Sequence, residues 1–364
     1  MDLSILNECA YECTKQSRWK EATQRYLSNL LINNLELKKE VLSGNYHVSP
    51  TVDFDLNERG HIRHIEAPIV RDRVIQKVLT KHVLTPLLRP HIIYDNYASL
   101  KDRGTSFARK RFEIMLRRYM HHYGIDGYIL LIDIKKYFEN IDHDVLKRMI
   151  YPLIKNEDKR VIDLIHYIID TSSKTDKGLN LGSEAPQILA LYYLTPLDTF
   201  LKVVKGIKYY GRYMDDIFII GASKKELSSL LGNIDDVLSI LKLEINWRKT
   251  HILKLSHGFT FLQVKYNILD GGRILKRLTR KKIVRERRRL KSLRMVVDRR
   301  SMTENDAYNC YQSWRGSIVR DHNACCVTVF KMDEIYVSLF PLHKEEKRKT
   351  RREMFEMAYS NSVG

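Results

Sequence analysis

The chain has 364 residues, enough for two or three domains, and its 44 % apolar and 29 % charged residues mark it as globular rather than disordered. Sixty-three Lys and Arg against 44 Asp and Glu leave a formal net charge of +19, a balance that points to a polyanionic partner. No run of about 18 apolar residues is present, which excludes a membrane-spanning helix, and residues 1–8 lack the basic and apolar regions of a secretion signal.

Residues 1–45 predict two or three helices with polar faces rich in Lys and Glu. His61–Leu79 reads as a short strand, a break at Pro68 and a helix opening near Asp72. Thr105–Tyr123 is a strongly basic helix stopped at Gly124. Gly127–Ile134 is a continuous apolar run, the pattern of a strand buried on both faces. A helix follows from Asp142-His143-Asp144, where acidic residues suit the positive helix end. A loop at 178–182 leads into one long apolar helix over 183–202. Segments 208–213 and 217–221 are apolar and β-branched and flank Met214-Asp215-Asp216 as a hairpin. Lys224–Leu241 is an amphipathic helix. Segments 259–267 and 273–278 flank Asp270-Gly271-Gly272, the clearest hairpin turn in the chain, and from Lys276 onward the pattern is helical and basic. The order of strand, helix, hairpin, helix and hairpin is that of an α+β fold. Neither a dinucleotide-binding G-x-G-x-x-G nor a P-loop is present.

The five cysteines, Cys9, Cys13, Cys310, Cys325 and Cys326, form no C-x-x-C pair and read as reduced thiols in a cytoplasmic protein. A zinc site from His322, Cys325 and Cys326 is the competing reading, disfavoured because adjacent cysteines ligate one ion poorly.

Two adjacent carboxylates, Asp215 and Asp216, at the tip of an apolar hairpin repel one another unless a cation neutralises them. Taken alone, the pair is also an ordinary solvated turn. Asp133 changes the balance, because it ends a buried strand where an unpaired charge is costly. A salt bridge would satisfy it. If that strand neighbours the 208–221 hairpin, the carboxylates converge on one sheet edge as a hard, oxygen-rich site for Mg²⁺. Two such ions clamp the attacking and leaving oxygens of a phosphoryl displacement, which on so basic a chain favours nucleotidyl transfer.

Tyr213-Met214-Asp215-Asp216 between apolar strands, with Asp133-Ile-Lys-Lys-Tyr-Phe138 upstream, resembles the reverse transcriptases. The ordered set is more specific still. It comprises Arg71-Asp-Arg-Val-Ile-Gln76, Asp133 to Phe138, Leu181-Gly-Ser-Glu-Ala-Pro-Gln187, the 213–216 box, Asn246-Trp-Arg-Lys249-Thr and Phe259-Thr-Phe-Leu262. The chain is most similar to prokaryotic diversity-generating retroelement and group II intron enzymes. Tyr97-Ala98-Ser99 with Gly104-Thr105, the Arg212-Tyr-Met-Asp-Asp-Ile segment and Ser313-Trp314-Arg-Gly316 resemble the diversity-generating kind.

The resemblance implies a right-hand polymerase fold with a ferredoxin-like palm, helical fingers and a short helical thumb. Residues 1–60 would be an N-terminal helical extension, 61–125 and 146–180 fingers, 126–145 and 181–267 palm, and 268–364 a basic thumb and tail. It implies RNA-directed DNA synthesis with two Mg²⁺ ions, Mn²⁺ being an acceptable substitute. Asp133 and Asp215 match the principal metal ligands, Asp216 the third carboxylate, and Ile134 stands with them in the metal site. Phe138 matches the aromatic that blocks a ribose 2′-OH, a core position being its alternative. Gly182 and Gln187 match the motif against the incoming nucleotide and template base. Lys249 matches a lysine near the departing pyrophosphate, and Arg71, Lys101 and Arg103 fall with the substrate-binding residues. Three positions depart from the pattern: Pro186 replaces a Ser, Leu100 replaces a triphosphate-binding Arg, and Gln263 replaces the Gly of the primer grip.

Residues 273–300 hold 14 Lys and Arg against Glu286 and Asp298, a density that suits a duplex-tracking surface with Arg285, Arg288, Arg289 and Trp314 as contacts. The Lys344–Arg352 cluster is a second contact or a tail. Expected partners are template RNA, the RNA/DNA duplex, dNTPs and a small basic accessory protein, with no membrane. The expected setting is a diversity-generating retroelement. An anti-phage defence or retron-like enzyme is the alternative, and a non-catalytic maturase-like RNA-binding protein the rival from another class.

Overall fold

A computed structural model describes residues 2–58, 61–180, 182–322 and 326–341 of the chain. It forms two units, Met1–Tyr123 with Gly127–Ile252, and Gly124–Asp126 with Leu253–Gly364. The basic cluster at 344–352, Leu181 and Cys325 lie outside the described residues, as do the side chains of His322 and Cys326.

In the first unit, helices Leu3–Thr14, Glu21–Ser28 and Leu30–Ser43 open the chain. Gly44 ends the last of them in the left-handed region at φ +74°, its own N–H and that of Asn45 closing onto the Val41 and Glu40 carbonyls. An antiparallel hairpin follows, β1 (Val52–Glu58) and β2 (His61–Ala67), with Val52 opposite Ala67. Only its second strand is expected from the sequence, although Val52, Phe54 and Leu56 alternate with Asp53, Asp55 and Asn57.

The helix Val70–Leu79 is tied to the segment before the hairpin by a buried acid. Asp72, 0 % exposed, accepts from the Tyr46 hydroxyl at 2.8 Å and the Ser49 amide at 2.9 Å. Burying a carboxylate is costly unless its oxygens are bonded in this way.

The sheet that carries the candidate site has the order β4-β5-β3-β6, built from β3 (Tyr128–Ile132), β4 (Tyr210–Tyr213), β5 (Asp216–Gly221) and β6 (His251–Lys254). Strand β3 lies between β5 and β6, and Ile129, Leu130 and Ile132 are buried, as its unbroken apolar run requires. The chain order β3, helices, β4–β5 hairpin, helix Lys224–Ile240 and β6 is the ferredoxin-like arrangement. Helix His143–Ile154 begins where the sequence places it, with Asp142 Oδ1 accepting the Val145 amide at 2.9 Å. The long helix expected over 183–202 is instead broken. Glu184–Tyr193 ends at Leu194, and Thr195–Thr199 and a wide turn at Phe200–Val204 continue it, because Pro196 has no N–H to give the Tyr192 carbonyl.

In the second unit, β7 (Phe259–Phe261), β8 (Val264–Ile268) and β9 (Ile274–Leu278) form an antiparallel meander. The single strand expected over 259–267 is thus two, turned at Leu262 and Gln263, which both sit at positive φ. Strand β9 also runs through Leu278, so helix begins only at Arg280, not at Lys276. Helices Arg280–Asp298, Glu304–His322 and Cys326–Leu339 pack around Leu290, Leu293, Tyr311, Met332, Tyr336 and Phe340. Among the described residues no helix is long and apolar enough to cross a membrane.

Candidate active site

The β4–β5 hairpin closes with Tyr213 opposite Asp216, so Met214 and Asp215 alone make the turn. Met214 has φ +57°, a left-handed conformation that a residue with a Cβ adopts at a cost. Two contacts hold it there: its side chain is only 9 % exposed, and Arg212 Nη1 donates to its carbonyl at 3.1 Å.

Pairing of Ile132 with Ile217 between β3 and β5 puts Asp133 level with Asp216, and Ile134 level with Asp215. The carboxylate pair and Asp133 therefore occupy the same end of neighbouring strands. Burial pushes the Tyr137 hydroxyl well above its ordinary range; Arg212 opposes this and the charge of Asp215 adds to it. The Tyr213 hydroxyl is likewise raised, by burial first and by Asp216 second, against the pull of Arg109.

Asp133 is 19 % exposed and held from the other side. Asn246 Nδ2 donates to its Oδ2 at 2.8 Å, and Lys249 Nζ lies 3.2 Å from Oδ1 and 3.3 Å from Oδ2. The segment supplying both residues is fixed by its backbone. Lys135 N–H donates to Glu244 and Asn246 N–H to the Asp133 carbonyl, which makes Ile134 and Ile245 a non-hydrogen-bonded pair. In such a pair the peptide groups point apart. The Ile134 carbonyl therefore faces away from Ile245, toward the edge of β3 on which β5 lies.

The donor set fits a hard divalent cation. Carboxylate oxygens of Asp133 and Asp215 and the Ile134 carbonyl are the ligands Mg²⁺ prefers, and the Lys249 ammonium already stands against Asp133 as a cation would. Asp133, Asp215 and Asp216 do not close into a three-ligand cluster: among the described residues no three His, Cys, Asp or Glu side chains gather to hold a metal. Asp216 stands beside this set, level with Asp133 across the β3–β5 pairing.

The remaining expected residues divide. Gln187 Oε1 accepts from the Ser99 hydroxyl at 3.2 Å. Gly182 lies where a Cβ would stand 2.9 Å from the Glu66 carbonyl, so the loop before the Gln187 helix passes close to the β1–β2 hairpin only as glycine. Phe138 is partly buried, 5.6 Å from the Tyr137 ring and packed against the core. Lys101 is exposed. Arg71 and Arg103 each make contacts within the chain. Arg71 pairs with Glu40, donates to the His47 carbonyl at 3.1 Å and covers the Tyr46 ring, while Arg103 donates to the Asn96 carbonyl at 2.9 Å between the Tyr94 and Phe107 rings. In the second unit Arg285, Arg288 and Arg289 are exposed. Trp314 is partly buried and stacks on Tyr311 at 5.8 Å.

Sequence reasoning quotes Asn246, Ser99 and Arg212 within motifs but gives none of them a role of its own. Asn246 lies inside a motif recognised for its lysine. Arg212 carries a visible signal, a full charge within an apolar strand.

The profile of the family described as reverse transcriptase (RNA-dependent DNA polymerase) matches residues 52–266. No curated protein matches the chain. Among solved structures, apo telomerase from Candida tropicalis, truncated from its C-terminal domain, is 16 % identical with a TM-score of 0.49 over 68 % of this chain and 60 % of that one. Telomerase from Candida albicans, in complex with a fragment of telomeric RNA, is 12 % identical with a TM-score of 0.48 over 81 % of this chain and 59 % of that one. The chain thus spans about three fifths of the length of these two. With more than half of its residues inside the family match, on a right-hand polymerase fold, the chain belongs to the reverse transcriptase (RNA-dependent DNA polymerase) family.

Proposed function

We propose that the chain extends a primer with dNTPs on a structured RNA template, by nucleotidyl transfer at the strand end where Asp133 meets the Met214–Asp215 turn. The observation that supports this most directly is the β3–β5 register, with Ile132 opposite Ile217. Mg²⁺, or Mn²⁺ in its place, when held by Asp133, Asp215 and the Ile134 carbonyl with Asp216 as the third carboxylate, would supply charge neutralisation at the attacking and leaving oxygens. Asn246 orients the Asp133 carboxylate by its 2.8 Å bond. Lys249, beside it and 67 % exposed, provides a cation for the departing pyrophosphate. Phe138 excludes the ribose 2′-OH, Gln187 and Gly182 line the nucleotide, and exposed Lys101 reaches the triphosphate. The basic face of Arg280–Asp298 tracks the RNA/DNA duplex. Residues 61–125 with 146–180 act as fingers, 126–145 with 181–267 as palm, and 268–364 as thumb.

The motifs at 97–105, 212–217 and 313–316 favour a cytoplasmic diversity-generating retroelement with a small basic accessory protein. Pro186 favours the defence or retron-like alternative, and a template/variable repeat beside the gene decides between them.

The test is primer extension on poly(rA)/oligo(dT) with Mg²⁺. Incorporation is expected. Asp133→Asn and Asp215→Asn should each leave under about 1 % of it with heteroduplex affinity kept within about twofold. No incorporation with any metal or template would leave only the RNA-binding reading.

A further inference from the structure

Arg212 is the bulkiest completely buried side chain among the described residues. Its partner Asp198 is 1 % exposed. Nε donates to Asp198 Oδ1 at 2.8 Å and Oδ2 at 3.1 Å, and Nη2 to Oδ2 at 2.8 Å. Burial alone would lower the guanidinium's pKa, and the Asp198 charge and hydrogen bonds outweigh it. The Tyr210 hydroxyl completes the set on Asp198 at 2.5 Å.

A buried ion pair is no more stabilising than a well-packed apolar pair of the same volume. What distinguishes this one is where its other donors go. Nη2 also donates to the Leu191 carbonyl at 2.7 Å, and Nη1 to the Met214 carbonyl at 3.1 Å. Leu191 lies one turn beyond Gln187 on the helix Glu184–Tyr193, where terminal carbonyls lack helical partners and a cation is favoured. Met214 precedes Asp215. Because Met214 is left-handed, the direction of its carbonyl sets the Met214–Asp215 peptide plane and so the direction in which Asp215 leaves the turn.

We propose that Arg212 is a positioning residue, holding the turn that carries Asp215 and the helix that carries Gln187 in one frame. Asp215 then meets the divalent cation in a fixed direction relative to the nucleotide's base side. This rests on the polymerase reading above. The residues that orient metal ligands characteristically govern metal affinity as well as stability.

The test uses the full chain and Arg212→Lys, which keeps the charge on Asp198 but cannot reach both carbonyls. Circular dichroism checks folding, electron paramagnetic resonance measures Mn²⁺ binding, and primer extension is titrated with Mg²⁺. The Mn²⁺ Kd and the half-saturating Mg²⁺ concentration should both rise about tenfold or more, with primer–template affinity unchanged. A folded Arg212→Lys variant with Mn²⁺ affinity and Mg²⁺ dependence like wild type would overturn the proposal alone. Should Arg212→Lys fail to fold, Tyr210→Phe loosens Asp198 without removing a charge. It should shift both constants about threefold, and unshifted constants there overturn the proposal too. A wild type that neither binds Mn²⁺ nor synthesises DNA would overturn the polymerase reading itself.

Discussion

Gly211→Ala isolates a steric requirement next to the candidate site. A Cβ at Gly211 would stand 2.5 Å from Tyr97 Oη, and 3.0 Å from both Tyr97 Cε2 and Phe218 Cε1. The backbone there is not left-handed, so alanine meets no conformational penalty and the whole effect is contact. Tyr97 cannot retreat freely: it is 0 % exposed, its hydroxyl donates to Asp95 at 3.2 Å, and its amide donates to the Arg212 carbonyl at 3.0 Å. Ordinary contact needs about 1 Å more than the hydroxyl allows, and overpacking of this kind costs about 2–3 kcal/mol. For a chain of this size that lowers Tm by roughly 3–4 °C. Tyr97→Phe alone loses one hydrogen bond, about 1 kcal/mol. In the Gly211→Ala background the same change removes the closest clash, so the double variant should be more stable than Gly211→Ala by about 1 kcal/mol. Urea unfolding of the four proteins measures this. Additive effects, or a Gly211→Ala variant within about 0.5 kcal/mol of wild type, would refute the steric account.

Phe138→Ala should raise ribonucleotide use relative to deoxynucleotide use about tenfold or more in single-nucleotide incorporation, with a small loss for dNTPs; unchanged discrimination would make Phe138 a packing residue only. Changing Arg285, Arg288 and Arg289 to Gln should flatten the dependence of log K on log[salt] for heteroduplex binding by about 1.5–2, since each full phosphate contact contributes about 0.7–0.9. The figure is below three full contacts because Arg289 lies 3.5 Å from Glu286 and is partly neutralised by it. Parallel salt titrations would mean a solvated face, and the track would then be sought on the helix Thr105–Tyr123.

Elements marked by local chemistry are legible before the structure is seen. The double-sided apolar run becomes β3, the Asp142 cap starts its helix, and Asp270-Gly271-Gly272 turns β8 into β9. Elements imposed by packing are not. Leu262 and Gln263 are poor turn formers, yet both sit left-handed because flanking Phe261 and Val264 are buried on either side of them. Met214 is the same case at the candidate site, since nothing in its own chemistry announces a left-handed residue held by a guanidinium two positions earlier. The carboxylates stand out as residue types. Which groups hold them is less visible, because Asn246 reaches Asp133 across 113 positions of sequence.

The buried acid at Asp72 bears on where this protein can be shortened. The family match begins at residue 52, but Tyr46 and Ser49, which satisfy Asp72, both precede it, as do Glu40 and His47, which hold Arg71. A fragment started at the match would strip the Tyr46 and Ser49 hydrogen bonds from this carboxylate and leave it the Arg71 guanidinium at 3.5 Å. Losing two of its donors leaves that buried carboxylate under-bonded, a cost the longer chain avoids. Residues 40–49 therefore serve the helix Val70–Leu79 directly, although they precede the family match, and a fragment meant to fold should include them.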